Sequence, residues 1–147
     1  MRKLHLLVAI PALTLAGAAL ASSIPANTQK GGYNDMTAQE LRAAENSAQS
    51  ARTAKDIEGI HEHLQGVVNC LVGPNGPGYV ATNTNPCTHM GKGALNDVLQ
   101  NSDESRLLND ALNEAKDGIK TTSLDDAQSK AKQAWGDIDN AINSAAQ

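Results

Sequence analysis

The chain has 147 residues, room for one domain and little more. With 12 Lys+Arg against 16 Asp+Glu and aromatics at 2%, it lacks the basic stripe and stacking rings of a nucleic-acid binder. Hydrophobic residues at 40% and a net charge of only −4 exclude a wholly disordered chain.

Residues 1–21 read as a secretory signal. Arg2 and Lys3 supply the positive start, Leu6 to Leu20 is uncharged and apolar, and Ala19-Leu20-Ala21 offers a small-x-small cleavage site. The mature chain is therefore expected to begin at Ser22, in the periplasm or the secreted fraction. The apolar run falls short of the ~20 residues of a spanning helix, and Pro11 and Gly17 interrupt it. No membrane attachment is expected once it is removed.

The rest of the mature chain divides into a polar leader over 22–36 and a helical domain over 37–147. The leader holds Pro25 and the pair Gly31-Gly32 and has no periodicity. Thr37 then stands three residues before Glu40, the spacing of a capping box, with Met36 and Leu41 placed as a hydrophobic staple. Beyond it come two apolar stripes. Leu41, Ala44, Ala48 and Ala51 form the first; Ile57, Ile60, Leu64, Val67, Val68 and Leu71 form the second. At about 100° per residue the two lie on nearly opposite faces. One long helix from Ala38 to about Leu71 that switches its buried face fits this pattern, and a break near Thr53 to Asp56 is the alternative.

Cys70 and Cys87 are the only cysteines. In an oxidising compartment they most simply form one disulfide, stapling a loop over 70–87. Gly73, Pro74, Gly76, Pro77, Gly78 and Pro86 keep that segment from holding a regular element unaided. Closing a loop of this size contributes about 3 kcal/mol in the chain-entropy account.

Ala94 to Gln100 reads as a short turn of helix. Ser102 caps a segment whose Leu107, Leu108, Ala111, Leu112, Ala115 and Ile119 share one face, ended by Gly118 and Thr121-Thr122-Ser123. Ser123 caps a last helix with Leu124, Ala127, Ala131, Trp135, Ile138, Ile142 and Ala145 on its stripe. The short link makes these two an antiparallel hairpin. The expected fold is all-α, a small bundle of three long helices plus one short helix with one disulfide-closed loop. Trp135, the one large aromatic on the stripes, is expected to be buried against the Ile57-to-Leu71 face. So much alanine makes a thin core, and leaves room for a protein partner or self-association.

Chemistry-bearing groups are few. His61 and His63 are two residues apart, so on an intact helix they point about 160° away from each other. Glu58 and His61 have the spacing of a bundle metal-ligand pair, but no second Glu-x-x-His completes a di-metal site. His89-Met90 pairs an imidazole with a thioether, a combination that suits copper. Gly73-Pro74-Asn75-Gly76-Pro77-Gly78 is not a phosphate loop, since no Lys-Ser or Lys-Thr follows it. No triad or acid/base couple stands out, so neither an enzyme nor a cofactor is expected.

His61-Glu62-His63-Leu64, Asn69-Cys70-Leu71-Val72-Gly73-Pro74 and Asn85-Pro86-Cys87 together resemble a loosely defined group of small exported bacterial helical proteins with no settled activity. The resemblance rests on the Asn-Cys-Leu-x-Gly and Pro-Cys words and covers about a fifth of the chain. Gln65 and Gly66 stand where that group carries further histidines. The resemblance implies a periplasmic setting. Two functions follow as expectations. The first is a non-enzymatic exported binding or envelope-stress protein. The second is a small periplasmic metal-binding protein taking copper or zinc through His61, His63, His89 and Met90.

Overall fold

A computed structural model describes residues 33–145; the expected signal and the leader up to Gly32 lie outside the described residues. The described residues are all-helical: α1 Asp35–Thr53, α2 Ile57–Val72, α3 Ala94–Asp97, α4 Asp103–Lys120 and α5 Leu124–Ser144. Four helices are long and one is short, so the expected three-plus-one count is corrected.

The extra helix comes from the break near Thr53 to Asp56 that stood as the alternative to one continuous helix. The chain leaves α1 at Ala54, where ψ is 147°, and Asp56 caps α2 by accepting the Gly59 N–H at 2.7 Å. No Gly or Pro marks the turn, because Ala54 and Asp56 need only extended backbone there. Two stripes on opposite faces of a straight rod become two faces of one core once the rod folds back.

The start of α1 also differs from expectation. Asn34 is its cap, accepting the Thr37 N–H at 2.9 Å, so the helix begins inside the expected leader. Thr37 and Glu40 form no capping box. Their side chains, one turn apart on one face, are used across the fold: Thr37 Oγ1 donates to Asp97 Oδ2 at 3.2 Å and Glu40 Oε1 accepts the Gly93 N–H at 3.0 Å. Met36 stays largely exposed. The caps on the second hairpin are as expected, Ser102 accepting from Ser105 N–H and Ser123 from Asp126 N–H. Gly118 does not end α4; it lies inside it, and a Cβ there would come within 2.5 Å of Leu64 Cδ1. Its lack of a side chain lets α2 approach α4.

Long-range hydrogen bonds fix the arrangement. Tyr33 Oη donates to the Ala141 carbonyl at 3.1 Å, and Gln128 Nε2 donates to the Ala54 carbonyl at 2.9 Å. These bonds pair opposite ends of α1 and α5, which are therefore antiparallel. His61 Nε2 reaches the Thr121 carbonyl at 2.9 Å, pairing the start of α2 with the end of α4. Each long helix thus runs antiparallel to its two neighbours in the ring α1–α2–α4–α5, an up-down-up-down bundle. The long connection with α3 covers one end, and two short links close the other.

The core is unevenly stocked. α2 supplies Ile60, Leu64, Val67, Val68 and Leu71, all buried, while α1 and α5 bury mainly alanine. Trp135 is not in this core. The buried face of α5 is Ala127, Ala131, Ala134, Ile138 and Ala141, which turns Trp135 to the edge. There it is half-buried, with the Arg52 guanidinium 4.7 Å from its ring centroid. Small alanines at the centre leave no room for an indole between close-packed helices. Leu64→Ala should cost 2–5 kcal/mol, roughly, and Trp135→Ala distinctly less, because it empties no enclosed space. Urea unfolding of the two variants, read at equal m-values, checks that order.

Candidate functional site

The loop after α2 does not project into solvent. It lies back along α2, held at three levels. Cys70 and Cys87 are bonded, both within the buried core. Asn69, buried one residue earlier, uses its side chain as a strand would use its backbone: Nδ2 donates to the Val80 carbonyl at 2.8 Å and Oδ1 accepts the Val80 N–H at 3.0 Å. Gln65 Nε2 adds bonds to Asn69 Oδ1 at 3.0 Å and to the Gly78 carbonyl at 2.9 Å. Farther along, Asn85 Oδ1 accepts the Cys87 N–H at 3.0 Å and its amide donates to Tyr79 Oη at 3.2 Å. Pro86 rests on Gly66, where a Cβ would meet its ring at 3.3 Å.

Where the loop returns, its backbone crosses its own beginning. A Cβ on Gly73, whose φ is +69°, would lie 1.8 Å from the Lys92 carbonyl oxygen. No side chain fits there. Sequence reasoning found the staple and its turn residues but missed Asn69 and Gln65. The available signal was an amide set inside the apolar run Val67-Val68-Asn69-Cys70-Leu71. A polar group there must find partners.

Between the docked loop, α1 and α2 lies a cleft of about 390 Å³, lined by Asn46, Ser47 and Ser50 of α1, Glu62, His63 and Gly66 of α2, and Thr84 and Pro86 of the loop. Its serine hydroxyls are committed: Ser47 Oγ donates to the Ala43 carbonyl and Ser50 Oγ to the Asn46 carbonyl, each at 2.9 Å. Their lone pairs remain to accept from a ligand, beside the His63 imidazole and the Glu62 carboxylate at the rim. A second hollow between α4 and α5 is lined by Glu114, Lys132, Gln133 and Asp137, among others. Burial raises the Asp137 carboxyl, and Asp110 and Glu114 push it the same way. Glu114 itself is paired, its Oε2 2.7 Å from Lys130 Nζ.

The four residues expected for metal are not gathered. His61 turns to α4 and closes its C-terminal end through Thr121. His63, on the other side of α2, lines the cleft. His89 is exposed at φ +64°, and Met90 packs on the core with its N–H bonded to the Cys87 carbonyl. Cys87 is tied to Cys70, seven residues or about 10 Å up the helix from His63. Among the described residues no group of three His, Cys, Asp or Glu side chains is placed to hold a metal ion, and no helix is long and apolar enough to cross a membrane.

Compared with known proteins, the chain matches no family model, no curated protein and no solved structure. The site is therefore read from its own geometry.

Two outcomes follow from it. Asn69→Ala removes three side-chain bonds from a buried position and leaves the N–H and carbonyl of exposed Val80 to water, so it should cost about 1–3 kcal/mol. Faster amide exchange at Val80 than at Leu64 in that variant, by NMR, locates the damage in the loop. Copper or zinc, titrated calorimetrically into demetallated protein, should bind no tighter than micromolar, about −8 kcal/mol. With His61 held on the Thr121 carbonyl through Nε2 and His63 on the other side of α2, the ligands do not converge on one ion.

Proposed function

We propose that this chain is an exported, non-enzymatic binding protein of the periplasm or secreted fraction, acting directly on a ligand or in the response to envelope stress, with the cleft beside the docked loop as its ligand face. The observation that carries the reading is the disulfide-pinned loop, whose Thr84 and Pro86 form one wall of a cleft furnished with His63, Glu62 and three small polar residues of α1. Such a wall holds its shape without ligand, which lowers the ordering cost of binding. The disulfide belongs to oxidising compartments, in keeping with the basic start, apolar run and Ala-x-Ala of residues 1–21.

Binding suits the cleft's groups better than catalysis. Ser47 and Ser50 direct their protons to backbone carbonyls of their own helix. A nucleophile would instead share its proton with a base such as His63. The arrangement offers acceptors, one imidazole and one carboxylate to a small polar ligand, with Pro86 as an apolar edge.

Native mass spectrometry of the protein recovered from the envelope fraction of producing cells tests this. The expected species starts at Ser22, lacks titratable thiols, and carries a non-covalent adduct that is lost from His63→Ala. A full-length cytosolic product with two free thiols, or an adduct indifferent to substitutions in the cleft, would overturn the reading.

A further inference from the structure

Among the described residues, Glu40 is a buried carboxyl with an oxygen left without a hydrogen-bond partner. It is a carboxyl only 1% exposed on α1, facing the limb of the loop that returns from Cys87 to α3. One oxygen accepts the Gly93 N–H at 3.0 Å; the other, Oε2, is buried with no hydrogen-bond partner. The returning backbone lies directly against it, since a Cβ on Gly91 would sit 2.9 Å from Oε1. Cys87 Sγ lies 3.9 Å from the Glu40 backbone carbonyl, so the same residue meets both ends of this limb.

A carboxylate needs several donors when it leaves water, whereas a protonated carboxyl is neutral and tolerates a single one. The neighbours supply no cation. Asp97 on α3 is the charged group that bears on Glu40, and it is itself acidic. Between Leu64 and Val72, α2 has no titratable side chain except the bonded Cys70. On the loop, His89 and Lys92 are exposed; on α1, Asp35 and Arg42 are exposed and Glu45 half-buried. On α5, Asp137 and Asp139 do not bear on it.

We propose that Glu40 is a proton-operated latch: protonated, it holds the limb Thr88–Gly93 and α3 against α1, and ionised, it releases them. The Cys70–Cys87 bond and the Asn69 clasp lie upstream of this limb, so release frees the return segment while the cleft wall at Thr84 and Pro86 stays docked. The latch does not depend on what the cleft binds.

The sign follows from linkage. Burial raises the Glu40 carboxyl above its ordinary 4.5, the Gly93 N–H draws it partly back, and Asp97 pushes it up again. The closed state therefore takes up its proton more readily than the open state. Its advantage is full below 4.5 and is lost as pH rises through the raised value. Between those limits the opening constant should rise about tenfold per pH unit and be flat on either side.

Amide exchange at Gly93, corrected for the intrinsic pH dependence of exchange, reads this directly. In the wild-type protein, protection at Gly93 should fall with rising pH while that of Val80 stays level. Glu40→Gln, neutral at every pH, should abolish the slope, and Asp97→Asn should narrow the pH range over which it runs. Because Glu40→Gln could fail to fold, carbon-13 titration of the Glu40 side chain in the wild type provides a second reading. It should show a transition above 4.5, at the pH where the fall in protection levels off. Level protection at Gly93 across that range, an unaltered slope in folded Glu40→Gln, or an unshifted titration would overturn the latch.

Discussion

One helix, α2, supplies more of the buried bulky apolar side chains of this bundle than any other. Ile60, Leu64, Val67, Val68 and Leu71 line α2, and the helices around it answer mostly with alanine. Large residues facing small ones let helices interlock closely without aromatic filler. They also make α2 the member that every other element must touch. α1 and α4 flank it, α5 meets it across the bundle, and the loop lies along its remaining side. The position of the cleft follows from this. It forms where the loop, drawn on to α2 by Asn69 and Cys70, stops short of covering the polar edge of α1.

Alanine-rich packing also explains the fate of Trp135. A sequence stripe locates a helix face only to within a residue or so on either side. On α5 both Ala134 and Trp135 fit the three-and-four spacing. The narrow gap chose alanine, and the indole took the margin under Arg52.

Helix content, the Ser102 and Ser123 starts, the disulfide and the divergence of His61 from His63 were all legible in the chain, because each depends on local spacing or on chemistry that needs no partner. The α1–α2 turn was harder to read. Backbone that merely becomes extended at Ala54 needs no Gly or Pro, so the change of stripe and the capping side chain of Asp56 were its marks in the sequence. Thr37 and Glu40 misled for the opposite reason. Their spacing suits a local cap, but Asn34 supplied one earlier, and both side chains were claimed by segments more than fifty residues away. Of the cleft, His63 and the pinned loop were visible in the chain. Asn46, Ser47 and Ser50 were not, since small polar residues on a helix acquire meaning only from what packs opposite them. The words Asn69-Cys70 and Pro86-Cys87 are the points at which the loop is fastened to its helix.

The disulfide joins α2 to the loop that follows it, and so does not cross from the α1–α2 hairpin to the α4–α5 hairpin. Tyr33 and Ala141 sit together, so a load applied through the start of α1 and the end of α5 would meet the α1–α5 seam first. Peeled in this way, the hairpins can separate bond by bond while the sulfurs carry no tension. Only a fully drawn-out chain would reveal the bond, as a contour shortened by the 17-residue separation between Cys70 and Cys87.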